Sequence, residues 1–301
     1  MEATKEPLTM TWLITGSSGQ LGLAMQSELT ERNIQFLALT SKDLDITDLD
    51  AVNESLFESA PTVVVNCAAW TDVDAAETNK ETAFAVNALG PKNLAVASKR
   101  IGAVLVHIST DYVFSGESDT PWQEDQVRNP ASVYGSSKRD GELFIEDLYP
   151  EGSYIIRTAW LYSPNGRNFA KTMAKIALSE TQEVRVVNDQ SGQPTSAKNL
   201  AKQIADLVIA KKEFGIYHGT NSGSATWFSF AQEIFELAGK EVSRLIPVST
   251  SEFSRPAKRP KYSVLGHENW KKMGLEEMPE WKSVLASEMP TILNQIKREE
   301  P

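Results

Sequence analysis

The stretch Thr11-Trp12-Leu13-Ile14-Thr15-Gly16-Ser17-Ser18-Gly19-Gln20-Leu21-Gly22 sets a short apolar run directly before three glycines. The run has the length of a β-strand, and the residues after the glycines read as an amphipathic helix to about Glu31. Strand, glycine turn and helix together are the dinucleotide-binding start of a doubly wound α/β sheet. Glycine permits the tight turn and lets the backbone approach a pyrophosphate, which then rests on the helix N-terminus. The spacing is G-x-x-G-x-x-G, not the commoner G-x-G-x-x-G. A plain strand-to-helix turn is the alternative.

The same alternation continues downstream. A second strand, Gln35 to Leu39, ends in Thr40-Ser41-Lys42. Enzymes selective for NAD place an Asp or Glu there, about twenty residues past the glycines, for the ribose 2′-hydroxyl. A hydroxyl and a cation at Ser41 and Lys42 suit a 2′-phosphate instead, so NADPH is the expected cofactor and NADH the lesser one; a solvated loop is the plain alternative. A helix near 49–59 precedes Thr62-Val-Val-Val-Asn66, an apolar run of the kind buried parallel strands show. It leads into Cys67-Ala68-Ala69, small enough for backbone to lie against a cofactor or to pack on the next helix. The helical stretch from about Lys80 to Arg100 contains Asn87 and Asn93; asparagine is a poor interior helix former, so one of them is expected to hold a water or a backbone group. Ala103 to Ile108 is the fourth strand and Tyr154–Arg157 the fifth. Ser109-Thr110-Asp111-Tyr112 follows the fourth strand, at the sheet edge where ligands of open α/β sheets bind. Five strand–helix alternations argue for a parallel sheet.

Tyr134-Gly135-Ser136-Ser137-Lys138 carries the chemistry. Residues four apart share a helix face, which predicts the Lys138 ammonium beside the Tyr134 phenol. A cation about 5 Å away, at an effective dielectric near 20, favours phenolate by roughly 3 kcal/mol, or about two pKa units. Such a tyrosine exchanges protons near neutral pH. An exposed Tyr and Lys on a polar helix face would show the same spacing.

Composition limits the partners. The chain has 301 residues, 41% of them hydrophobic and 23% charged, and a net charge of −10. That balance argues against non-specific binding to nucleic acid or to an anionic membrane. The single cysteine, Cys67, excludes an internal disulfide and suits a reducing compartment. No apolar run has the length of a membrane span, and residues 1–9 read as a disordered tail or linker remnant, not a signal peptide. A cytoplasmic location is the expectation.

Taken together, Gly16–Gly22, Leu44-Asp45-Ile46-Thr47, Asn66–Ala69, Ser109–Phe114, Tyr134–Lys138, Asn188–Gln190 with Gly192, Pro194 and Thr195, and Arg259-Pro260 with Ser263 and Leu265 resemble the extended short-chain dehydrogenase/reductase family. Within it they are most similar to the dTDP-4-dehydrorhamnose reductases, from about Thr11 to Leu265. The resemblance implies a Rossmann-type doubly wound parallel sheet, 10–157 plus about 196–219. It gives about 158–195 and 220–301 to a smaller substrate-binding part. It implies NAD(P)H-dependent reduction of the C4 ketone of dTDP-4-dehydro-L-rhamnose, with Tyr134 as the acid, Lys138 stabilising the phenolate and holding the nicotinamide ribose, and Thr110 orienting the carbonyl. It assigns Gly16, Ser18, Gly19, Gln20, Leu21, Ser41, Lys42, Asp45, Ile46, Cys67, Ala68 and Ala69 to the cofactor. The substrate falls to Thr71, Thr110, Tyr112, Trp160, Asn168, Gln190 and Arg259. Arg259 lies in the cationic run Arg255–Lys261, and arginine matches a diphosphate in bidentate fashion; a solvated charge run is the alternative.

Some members of the family hold magnesium at a dimer interface through carboxylates. Two of those positions fall on Ala24 and Lys198, so no metal is expected, and the oligomer (a homodimer, or a fusion with an epimerase domain) stays open. The 4,6-dehydratases carry an Asp-Glu pair after the threonine, where Asp111-Tyr112 stands here; epimerases recycle a tightly held NAD. A non-catalytic module, like the regulatory beta subunit of methionine adenosyltransferase, is a further alternative that the joint presence of Thr110, Tyr134 and Lys138 disfavours.

Overall fold

β-Branched and aromatic runs bounded by turns become six parallel strands in the computed structural model, which describes residues 11–178 and 183–299. The expected tail, 1–9, lies outside the described residues. The strands are β1 (Thr11–Thr15), β2 (Gln35–Leu39), β3 (Val63–Asn66), β4 (Val104–Thr110), β5 (Ser153–Thr158) and β6 (Gly215–His218). Their order is β6-β5-β4-β3-β1-β2, with every neighbouring pair parallel. Register sets Thr15 beside Asn66 and Asn66 beside His107, one row across three strands.

The longer helices are α1 (Gln20–Glu31), α2 (Leu49–Ser59), α3 (Gly90–Ile101), α4 (Val133–Leu148), α5 (Phe169–Leu178), α6 (Ala197–Ile209), α7 (Trp227–Leu237) and α8 (Trp281–Glu299). Strand side chains alternate between faces. Trp12, Ile14, Val63, Val65 and Val106 therefore meet α1 and α6 through Met25, Leu29, Leu200 and Ile204. Leu13, Val64, Leu105 and Ile155 meet α2, α3 and α4 through Val52, Leu56, Leu94 and Ile145 on the opposite face. Burying one such side chain contributes roughly 1.5–3 kcal/mol, so both faces hold the sheet firmly.

A further core gathers Ala170, Met173, Phe230, Phe235, Trp281, Leu285 and Met289 from α5, α7 and α8. It lies beside the parallel pair Val184–Val187 and Leu245–Val248. The resemblance gives all of 220–301 to the smaller part, but Trp270, Met273, Leu275 and Met278 pack into the sheet core instead. The Trp270 indole donates to the His218 carbonyl at 2.8 Å, which ties this stretch to β6.

The helix expected over about 80–100 is interrupted. Lys80–Phe84 runs into a π-type turn, Ala85–Leu89, before α3. Asn87 sits in that turn, accepting from Trp70 N at 2.9 Å and donating to the Trp70 carbonyl at 3.0 Å and to Ser137 Oγ at 3.1 Å. Asn93 donates to the Ile46 and Thr47 carbonyls. Both asparagines thus hold backbone groups, and Asn87 links the loop after β3 to α4.

Candidate active site

The C-terminal ends of β1, β3 and β4 open into a cleft of about 790 Å³. The chain runs from β1 to β2 on one side and then crosses back to β3 on the other, and such a switch point is where doubly wound sheets bind ligands. Gly16 has φ +62°, and a Cβ there would lie 2.5 Å from Ala68 N, so the two backbones leave no room for a side chain. Gly19 is the N-cap of α1, and no side chain caps it. The first-turn N–H groups are left to meet an anion at the positive end of the helix. Ser18, Gln20, Leu21, Ser41, Asp45, Ile46, Cys67, Ala68 and Ala69 also line the cleft. The groove therefore fits a dinucleotide.

Tyr134 stands in the first turn of α4, whose cap Ser132 accepts from Gly135 N at 3.1 Å. A Cβ on Gly135 would lie 2.2 Å from the Tyr112 carbonyl oxygen, so glycine lets this helix end press against the turn after β4. Tyr112 and Tyr134 meet edge to face at 5.6 Å. Thr110, the last residue of β4, is within hydrogen-bonding reach of the Tyr134 phenol. Its Oγ1 donates to Asp111 Oδ1 at 2.9 Å and accepts from Tyr112 N at 3.2 Å. Asp111 is 2% exposed, and burial pushes its carboxyl up to about 6.

The spacing predicts an ammonium beside the phenol and a lowered phenol pKa. In the structure both residues line the cleft, Lys138 has further partners, and the phenol shifts upward instead. Lys138 Nζ donates to the Ile108 carbonyl at 2.6 Å and lies 3.3 Å from His107 Nε2. Burial pushes the Tyr134 phenol up to about 12, helped by the Asp111 charge and offset in part by Thr110. Burial also brings Lys138 down to about 8. Desolvation beats pairing because the lysine is itself buried and has taken a backbone partner. At neutral pH the phenol keeps its proton, as a proton donor must.

Thr71, Tyr112 and Trp160 line the same cleft. Lys42 is exposed and not part of its wall, and Asp43 follows it, accepting from Thr40 N at 2.9 Å and Thr40 Oγ1 at 2.6 Å. A carboxylate thus stands one residue beyond the segment in which none was found. Asn168, Gln190 and Arg259 are not brought to the cleft wall. Asn168 Nδ2 donates to Gln20 Oε1 at 2.9 Å, and Gln190 Nε2 to Thr250 Oγ1 at 2.9 Å. Arg259 pairs with Asp74 at 3.0 Å, and Asp74 Oδ1 also accepts from Ala257 N. Trp160, at φ +43°, stacks on Trp227, centroids 3.6 Å apart, with Gly192 against its ring. The ring is partly buried and stacked, so its aromatic surface is shared with packing. Trp227 lines the cleft as well and was missed; it opens α7, whose Thr226–Ser229 capping box is the available signal. Ala24 and Lys198 line a separate cleft of about 640 Å³ between α1, α6 and α8. No cluster of three or more His, Cys, Asp or Glu suited to a metal occurs among the described residues.

Sheet order, glycine turn and the Thr110–Tyr134 edge are those of an extended short-chain dehydrogenase/reductase. The model of the RmlD substrate binding domain matches residues 10–293, and the chain belongs to that family. It is 44% identical over 294 residues to dTDP-4-dehydrorhamnose reductase of Streptomyces griseus, covering 96% of each chain. It is 41% identical to dTDP-4-keto-6-deoxy-D-glucose reductase of Streptomyces niveus, covering 95% of this chain and 98% of the relative. Among solved structures, dTDP-4-dehydrorhamnose reductase of Bacillus anthracis in complex with NADP superposes with a TM-score of 0.90 at 40% identity, covering 94% of this chain and 99% of that one.

Proposed function

We propose that this protein reduces the C4 ketone of dTDP-4-dehydro-L-rhamnose to the alcohol of dTDP-L-rhamnose, with NADPH as the hydride donor and NADH as a poorer one. The observation that carries the reading is that Thr110, Tyr134 and Lys138 line one cleft with the glycine turn Gly16–Gly22. The nicotinamide supplies the hydride that forms the new C4–H bond. Tyr134 gives its proton to the C4 oxygen, and Thr110 orients that oxygen. Lys138 answers the phenolate charge that remains and takes the nicotinamide ribose. Gly16, Gly19 and the start of α1 hold the pyrophosphate.

Thr71, Tyr112 and Trp160 contact the sugar in this reading. Asn168, Gln190 and Arg259 take part once the substrate draws their segments inward, with Arg259 exchanging Asp74 for the diphosphate. The relatives' names cover two 4-keto sugars, so the hexose is settled by assay and not by identity. The reading places the reaction in the cytoplasm, next to the epimerase that supplies the ketone, as a separate partner or a fused domain. No helix among the described residues is long and apolar enough to cross a membrane.

The test mixes enzyme, NADPH and dTDP-4-dehydro-L-rhamnose, or dTDP-4-keto-6-deoxy-D-glucose, and follows nicotinamide absorbance. Stoichiometric consumption of NADPH supports a reductase, whereas turnover without net consumption indicates an epimerase or dehydratase. Tyr134→Phe is expected to lower kcat by about 10²–10⁴, the range for general acid catalysis. A full rate in that variant removes Tyr134 from the chemistry. Turnover with NADH is expected to be slower than with NADPH, and the reverse order would reject the cofactor assignment.

A further inference from the structure

A row of buried polar side chains runs behind the catalytic edge, at the ends of β1, β3 and β4. Thr15 Oγ1 donates to Asn66 Oδ1 at 2.7 Å, and Asn66 Nδ2 lies 3.0 Å from His107 Nδ1. His107 Nε2 lies 3.3 Å from Lys138 Nζ. Asn66 and His107 are 0% exposed and Lys138 is 1% exposed.

The orientation of this row follows from one backbone group. Ala68 N–H donates to Asn66 Oδ1 at 3.2 Å, and a backbone N–H can only donate. The oxygen of Asn66 must therefore face Ala68 and Thr15, which leaves its NH2 for His107. Nδ1 of His107 is then an acceptor. Burial alone is enough to hold this imidazole neutral, its pKa well below the ordinary histidine range. A neutral imidazole carries one proton, so that proton is on Nε2 and points at Lys138.

An ammonium has three donors and no acceptor, and it cannot receive that N–H. A neutral amine can: its lone pair accepts from Nε2–H while one of its own hydrogens goes to the Ile108 carbonyl. We propose that His107 is a positioning residue that seats Lys138 against β4 only as the neutral amine, so that taking up a proton and leaving His107 are one event for this lysine. The ammonium, once formed, turns back along α4 towards Tyr134, where a phenolate needs it. Burial among the groups that face Lys138 lowers its proton affinity. From β4 come His107 and the Ile108 carbonyl; from the end of β3 comes the Cys67 thiol, which burial pushes up to about 12 and keeps neutral. On its own helix, Tyr134 is one turn away; the Glu142 charge raises the lysine against the effect of burial, and it is shared with Arg157 and Arg128. Burial prevails, and Lys138 descends to about 8.

This inference rests on the reductase reading for its use in catalysis, but it is measured without turnover, so the two fail separately. The cofactor-free protein, labelled with ¹³C at lysine Cε, is titrated by NMR, and the Lys138 signal is assigned by its loss in Lys138→Met. The wild-type midpoint is expected at or below about 8, against roughly 10.4 for a free lysine. His107→Gln, which offers an amide oxygen to an ammonium, is expected to raise the midpoint by at least one unit, a tenfold gain in proton affinity. His107→Phe, which keeps a ring and removes both nitrogens, is expected to raise it by less; near-UV circular dichroism checks that each variant is folded. A wild-type midpoint near 10, or one that stays put in both folded variants, would overturn the proposal.

Discussion

At Tyr134 two physical effects oppose each other, and their sizes settle the outcome. A cation in the position the helix spacing suggests would lower the phenol pKa by about two units. Burial raises it instead, to about 12, while Lys138 donates to the Ile108 carbonyl. The resting pair is therefore a protonated phenol and a lysine close to losing its charge. A pH dependence follows from Lys138, whose pKa burial lowers from 10.5 to about 8. Its charge is complete below that value and disappears as the pH rises through it. Since kcat/KM reports the free enzyme, it is expected to fall about tenfold per pH unit above 8. A flat profile to pH 10, measured with non-volatile buffers at constant ionic strength, would show that the lysine charge is not needed.

Among the elements, α4 carries most of the responsibility, because one helix brings Tyr134, Lys138 and Glu142 against β4 and β5. Arg157, near the C-terminal end of β5, is 0% exposed and gives both Nε and Nη2 to Glu142, at 3.0 and 2.8 Å. Arg128 adds a further contact to Glu142 at 3.0 Å. Removing one partner of a buried pair leaves an uncompensated charge and costs about 3–5 kcal/mol. Glu142→Gln is expected to lose stability on that scale in urea unfolding, with the midpoint shifted and the slope retained. The pairing holds the Glu142 carboxyl below its ordinary value of 4.5 despite burial. Its stabilisation is thus present above 4.5 and is lost as the pH falls through the lower folded value. Acid unfolding of the wild type should begin below pH 4.5, and the variant should lack that part of the dependence.

Over the whole molecule, one carboxylate spans the entrance of the cleft. Asp74, in the short helix Val73–Ala76, holds Arg259 at 3.0 Å, Arg255 at 3.6 Å and Ala257 N at 3.2 Å. These contacts pin the cationic segment 255–259 to the short helix Val73–Ala76. Exposed pairs contribute little, but a shared carboxylate with a backbone partner orders the segment it touches. Asp74→Ala is expected to speed tryptic cleavage after Lys258 or Lys261 several-fold, with the rest of the chain equally resistant. Unchanged cleavage, read by mass spectrometry, would mean that the segment is held by other contacts.

Sequence periodicity alone was enough for the parallel sheet, the glycine turn and the edge carrying Thr110 and Tyr134, because strand alternation, helix faces and turn chemistry are local. The sites of Gly16, Gly19, Cys67 and Ala68 were readable for the same reason. Folding in three dimensions was needed to give Lys138 the Ile108 carbonyl as a partner, to set Asn168, Gln190 and Arg259 apart from the cleft wall and to bring Trp227 into it. It also aligned Thr15, Asn66 and His107 in one row. Those outcomes depend on desolvation and on partners contributed by distant strands, such as the Ile108 carbonyl and the Arg157 guanidinium, and no spacing within one helix contains that information.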